Sequence, residues 1–381
     1  MTIPLRPDVA FVLAALRCDP GAARAQHDAA ARVDDWDAVA RFAVAHDLAW
    51  WVSRALPRDG VPDAVRAEIS GAMRGAAVAA LAGTRQLLEL LQLLRGAGVR
   101  AVAYKGPALA LEVHGDLGAR RFTDLDILVR QGDRERARAA LAAAGYASPS
   151  GYTASEERFF SRWEGVAQLA CDGKLPVELH WRCQAPRYGG PQDPADVVAR
   201  AVPCALGGGT VMVPSPEDLG VLLALHGVKH AWGSLLWVVD FAAAVSRPGF
   251  DWALFASRAA SWKVVRAVHF AVLVAHELAL IDPPAAVLHA ARDDARAAYL
   301  SRSVVARLTL APHADLGGQS TARYDLRWLD GAWAQLRYLG LSVALPTPQE
   351  RRLIRLPDVL LPLAYPVRAW RLLRRAGGWR A

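Results

Sequence analysis

The chain has 381 residues, is 53% hydrophobic and carries a formal net charge of +8. That length can bury a large core and hold two or three domains. No apolar run reaches about 18 residues without a charge, so no transmembrane helix is expected, and the first residues lack the basic-then-apolar pattern of a signal peptide.

In chain order, residues 1–96 read as a helical region. Asp37 to Ala49 and Val65 to Arg95 carry apolar residues at helical spacing, and Gly96 and Gly98 close the second segment. Residues 97–214 alternate strand and helix signals, as expected of a small mixed sheet with helices on one face. Strand 99–104 leads through a tight Lys105-Gly106-Pro107 turn into helix 107–114. Pro107 suits a first helical turn, Gly106 lets a bound group approach the backbone, and a helix N-terminus beside Lys105 favours phosphate.

Arg121-Phe-Thr-Asp124-Leu-Asp126-Ile-Leu-Val129 is the most informative stretch. On a strand, Asp124 and Asp126 share one face while Leu125, Ile127 and Val129 point into a core. Two adjacent carboxylates repel unless a cation lies between them, and oxygen ligands suit Mg²⁺. Helix 133–144 follows. Next comes a hairpin near 166–181, turning at Asp172-Gly173. Its second strand carries Glu178 and His180. If this strand lies beside Asp124 and Asp126, Glu178 completes a three-carboxylate cluster. His180 would line the same cleft or pack as a satisfied core histidine.

After a strand at 210–213, residues 215–381 read as a helical domain ending in a basic Pro- and Arg-rich tail. Ser215 caps a helix that has Pro216 at its first position, and helices are expected over 216–231, 234–246, 251–260, 263–280 and 284–300. The segment 316–321 reads as a connection. From Pro346 leucine and arginine mix; the prolines break a long helix, and the tail is expected to pack across the helical domain, with a membrane- or RNA-contacting amphipathic segment as the alternative.

Taken together, Lys-Gly-x-Ala-Leu, Arg-x-x-x-Asp-Leu-Asp-x-Leu-Val and x-Glu-Leu-His-Trp resemble the bacterial nucleotidyltransferase family of the DNA polymerase β-like superfamily. The resemblance extends through Pro214 to Leu219, His226-Gly-Val-Lys229-His230 and Leu236-Trp237-Val-Val-Asp240, and spans about residues 85 to 260. The turn departs from the superfamily's usual Gly-Ser, having Gly106-Pro107. The family implies an α+β fold and an Mg²⁺-dependent transfer of a nucleoside monophosphate from an NTP to an acceptor hydroxyl, releasing pyrophosphate. Asp124, Asp126 and Glu178 would hold two Mg²⁺ ions, with Glu178 also drawing the acceptor's proton. Lys105, Gly106, Arg121 and Lys229 would meet the triphosphate.

The acceptor stays open between small molecule, peptide, protein and RNA. A non-catalytic nucleotide-binding protein on the same scaffold and RNA 3′-end addition are the alternatives. His226 and His230, four apart on a helix, have zinc-compatible spacing; a structural role or a hydrogen bond into the cleft is expected instead. Asp240 is expected to pair with a basic residue. Only four of the 45 Lys and Arg residues are lysines, and two of them, Lys105 and Lys229, fall in these motifs. Cys18, Cys171, Cys183 and Cys204 lack Cys-x-x-Cys spacing, so free thiols in a cytoplasmic setting are expected.

Overall fold

The computed structural model describes residues 5–17, 21–149, 151–161, 163–190, 193–310, 322–347, 350, 353–354 and 356–376. Cys18, the expected connection at 316–321 and the last residues of the tail lie outside the described residues.

Four short helices open the chain: α1 (Pro7–Ala15), α2 (Ala22–Ala30), α3 (Trp36–Ala45) and α4 (Ala49–Ala55). The single helix expected over 37–49 is interrupted after Ala45. Asp47 takes a positive φ there, and the His46 Nδ1 atom accepts from the Leu235 N–H at 3.1 Å, so the break is tied to a distant segment. The long α5 (Asp63–Gly96) follows. By length and composition it could cross a membrane, with mean hydropathy 1.2 over its best window. Here its apolar face is core: Val65 and Ile69 pack among the helices, and Leu87, Leu90 and Leu94 pack under the sheet.

The sheet contains β1 (Ala101–Ala103), β2 (Leu125–Val129), β3 (Val166–Leu169) and β4 (Val177–His180), in the order β1-β2-β4-β3. β2 pairs antiparallel with β1 and parallel with β4, while β3 and β4 form the expected antiparallel hairpin. The connecting helices are α6 (Gly106–His114), α7 (Arg134–Ala143), α8 (Ala154–Ser161) and α9 (Ala195–Arg200). Leu125, Ile127 and Val129 are fully buried with Val177, Leu179, Ala167 and Leu169 on one face, packed against α5 and α7. Val102, Tyr104 and Leu128 on the other face join the core of the C-terminal helices. Helices therefore cover both faces rather than the one expected, because both faces of the central strand carry apolar side chains.

A second ribbon pairs β5 (Val202–Leu206) with β6 (Gly209–Val213). Then come α10 (Pro216–Lys229), α11 (Leu235–Val245), α12 (Trp252–Ser261) and α13 (Val265–Glu277), all close to expectation. The helix expected over 284–300 is two, α14 (Ala285–Asp293) and α15 (Ala295–Leu310). Asp294 divides them, accepting from the Arg296 and Ala297 N–H groups as a helix cap while ion-pairing with Arg266. The last helices are α16 (Ala322–Trp328), α17 (Gly331–Ala344) and α18 (Ala364–Ala376). One apolar cluster runs from α1 and α3 through α10, α11 and α13 to Trp328 and Tyr338. The α+β class is as the sequence indicated.

Candidate active site

The site grows from strand register. In the parallel ladder Asp126 lies directly beside Glu178, and in the hairpin Glu178 lies opposite Gln168. Paired residues share a face of the sheet, so the three polar side chains form a row across β2, β4 and β3. His180, two residues beyond Glu178, projects from the same face. Tyr104 at the end of β1 meets the His180 ring edge-on, with centroids 5.4 Å apart.

This row lines a cleft of about 770 Å³ between the sheet and helices α10 and α11. Lys105 Nζ donates to Asp126 Oδ1 at 2.7 Å, and His180 Nε2 lies 3.0 Å from the same oxygen and 3.3 Å from Glu178 Oε2. Gln168 Nε2 donates to Glu178 Oε1 at 3.0 Å. Burial raises the Asp126 pKa, but Lys105 and His180 outweigh it and hold the carboxyl far below the ordinary range. Burial likewise raises Glu178, and the hydrogen bond from His180 brings it down to about 2. Burial lowers His180, and its two carboxylate partners reverse the sign, raising it above the ordinary imidazole value.

Asp124 stands just ahead of β2 and lines the same cleft. Burial first, then Asp126 and Glu178, raise its pKa; Lys105 and Arg120 only partly offset them. Like charges in one place create a demand for positive charge. Among the described residues, the group whose ligand atoms come within 4.8 Å of one another is Asp126, Glu178 and His180, which could hold a metal ion. Asp124 lies outside that group.

Gly106 has φ +61°, which turns the chain sharply from β1 into α6 with Lys105 at the helix cap. Its nearest neighbour is the Asp124 carbonyl oxygen, 3.6 Å from where a Cβ would lie, and it is not among the residues lining the cleft. Arg121 is at the rim, paired with Asp47 at 3.2 Å. Lys229 also lines the rim, and among the described residues it has no carboxylate within ion-pair distance.

His226, His230 and Trp237 form an aromatic wall, with the histidine rings 4.8 Å apart and Trp237 5.0 and 5.4 Å from them. Burial lowers both histidines, His230 to about 4, so both are neutral at physiological pH. Neither belongs to a metal-ligand group among the described residues. Asp240 is structural, as expected: its two oxygens lie 2.8 Å from His114 Nε2 and 2.8 Å from Arg120 Nε.

All of these residues fall inside a segment, residues 33–279, that matches a family model. The chain belongs to a family described as uncharacterised nucleotidyltransferase. No curated protein matches it. The match to this nucleotidyltransferase family runs from α3 to just past α13 and covers well over half of the chain.

Sequence reasoning missed three features of the nucleotidyltransferase cleft. Gln168 was legible, since a hairpin turning at Gly173 places residue 168 opposite 178. Trp237 stood in a resemblance motif without a role of its own. Gln184, which is 7% exposed and lines the cleft with neither amide atom hydrogen-bonded, carries no sequence signal.

Proposed function

We propose that this protein transfers a nucleoside monophosphate from an NTP to an acceptor hydroxyl, with release of pyrophosphate, as expected for a DNA polymerase β-like enzyme. The observation that carries the reading is the Asp126–Glu178–His180 group beside Lys105 and Asp124 in one cleft, within a nucleotidyltransferase family. The donor set suits Mg²⁺: its carboxylates are hard oxygen ligands, and three of them, Asp124, Asp126 and Glu178, line one cleft. Asp126, Glu178 and Asp124 would hold two such ions. Bound there, Mg²⁺ would supply charge to the transferring phosphoryl group and acidify the acceptor hydroxyl.

The chain's own residues account for the rest. Lys105 and Lys229 neutralise the triphosphate. The acceptor oxygen forms a bond to the α-phosphorus, and the bond from that phosphorus to the bridging oxygen breaks, its electron pair leaving with pyrophosphate. Glu178 takes the acceptor's proton and releases it to solvent, while His180 Nε2–H, 3.3 Å from Glu178 Oε2 and 3.0 Å from Asp126 Oδ1, donates to both carboxylates and keeps them ionised. The Trp237 wall faces the cleft and offers a stacking surface.

The non-catalytic reading is favoured by one observation: Lys105 already gives Asp126 a positive partner. The unpaired state of Cys171, Cys183 and Cys204 accords with a cytoplasmic setting.

The test is incubation of the purified protein with each labelled NTP, Mg²⁺ and cell extract, followed by mass spectrometry and pyrophosphate detection. A product heavier by one nucleoside monophosphate, absent with Asp126→Asn, is expected. Mg²⁺-dependent NTP binding with no pyrophosphate from any extract would overturn catalysis in favour of the binder.

A further inference from the structure

The segment beyond the family match leaves several large apolar side chains in water. On α17, Trp333 is 77% exposed, Leu336 61% and Val343 59%. At 100° per residue these three fall within an arc of about 80°, while Tyr338, on the opposite side, is buried in the core. The helix therefore has an inner face that holds it to the protein and an outer apolar stripe with no partner among the described residues. The next helix, α18, packs against α17 and adds Trp370 at 51% and Leu373 at 73% exposure. The short 3₁₀ turn before it, Asp358–Leu363, adds Val359 at 85%. Exposed apolar residues scattered singly need no explanation, but here three share one face of α17 and three more follow in the segment packed beside it.

Charge identifies what covers it. In sequence, residues 346–381 contain eight arginines and only Glu350 and Asp358 as acids, a net +6 of the chain's +8; Arg351, Arg352, Arg355 and Arg380 lie outside the described residues. Arg368 and Arg371 are tied to Glu350, whereas Arg374 lies over the Trp370 ring at 5.0 Å. A second copy of the chain would bring a like-charged surface against this one, which opposes self-association. Nucleic acid would match the charge but would leave the Trp–Leu–Val stripe in water. Apolar side chains flanked by arginine, with tryptophans among them, suit the boundary of an anionic bilayer, where acyl chains and headgroups satisfy both at once.

We propose that the α17–α18 face binds the surface of an anionic lipid bilayer, with the two helices lying in the interfacial plane. The binding does not depend on nucleotidyl transfer, and it would hold the protein at a membrane surface.

The test is co-sedimentation of the full-length protein with vesicles of phosphatidylcholine alone or mixed with phosphatidylglycerol. Binding to the mixed vesicles, at least tenfold weaker binding to the neutral ones, and loss of binding as NaCl rises are expected. The double variant Trp333→Ser, Leu336→Ser and the single variant Leu373→Ser alter exposed side chains only. They should keep the parent's thermal midpoint and circular dichroism yet lose at least tenfold in vesicle affinity. No binding to mixed vesicles at low salt overturns the proposal, as does equal binding to both vesicle types. A dimer in light scattering that these substitutions dissolve, without vesicle binding, assigns the face to a second copy instead.

Discussion

Replacing Asp240 with Asn tests how the central sheet is tied to the helices around it. Asp240 on α11 lies between His114, at the end of α6, and Arg120, in the segment leading to β2. The Asp240 and His114 side chains are 1% and 0% exposed, and Arg120 is 7% exposed. Asparagine keeps the shape but removes the charge, leaving a guanidinium buried without its anion. Breaking a buried pair from one side costs about 3–5 kcal/mol. The amide oxygen can still accept one hydrogen bond, so a loss near the lower end, about 3 kcal/mol, is expected. Urea denaturation followed by tryptophan fluorescence would read it as a lower midpoint. The double replacement Asp240→Leu, Arg120→Met should cost less than the sum of its single changes. The pH dependence has a definite sign. Burial raises Asp240, but Arg120 and His114 prevail and its folded pKa lies below the ordinary 3.8. Its contribution is therefore complete above that value and is lost as pH falls below it, and the Asn variant should lose less stability on acidification. A midpoint change worth under about 1 kcal/mol, with no coupling to Arg120, would refute a buried ionic tie.

Glu178→Gln should lower turnover by at least about a hundredfold while preserving the fold, as measured by pyrophosphate release; parent-like turnover would remove Glu178 from the reaction. Gln184→Met should raise stability by about 1–3 kcal/mol, because it deletes a buried amide with no partner. It should also weaken ligand binding by about tenfold, and loss of stability would show that the amide is satisfied. Gly83→Ala should destabilise the protein although alanine favours a helix by up to about 1 kcal/mol. Its Cβ would lie 2.6 Å from the Phe122 ring and 2.9 Å from Leu175, and overpacking costs about 1–3 kcal/mol. A higher thermal midpoint would mean that both neighbours move aside.

The parts of the fold that were legible are those specified by short-range patterns. Alternation in Asp124–Val129 placed Leu125, Ile127 and Val129 in the core, where all three are fully buried. The Ser215-Pro216 cap signal set the start of α10. The breaks at Asp47 and Asp294 were not legible because each depends on a distant partner: the Leu235 N–H in one case and Arg266 in the other. A periodic apolar pattern continues through both positions, and only tertiary contacts decide where the helix stops. The partner of β6 was missed for a different reason. Pro203 interrupts the segment, and a proline reads as a break, although β5 is an edge strand of a two-stranded ribbon and tolerates it.

The acidic residues of the site show the same division. Asp126 and Glu178 could be proposed from sequence, because each places a carboxylate in an otherwise apolar strand and such a residue needs a partner or an ion. Their adjacency required the parallel pairing of β2 with β4, which no local pattern encodes. The identity of Asp126's partners could not be read at all. Lys105 was read as a phosphate contact, yet its ammonium lies 2.7 Å from Asp126. A lysine at the mouth of α6 reaches a carboxylate on β2 only because Gly106 turns the chain with a positive φ. A β-branched or bulky residue at 106 would be strained in that conformation, moving the ammonium away from Asp126. The positive φ of Gly106 is thus what sets Lys105 against Asp126.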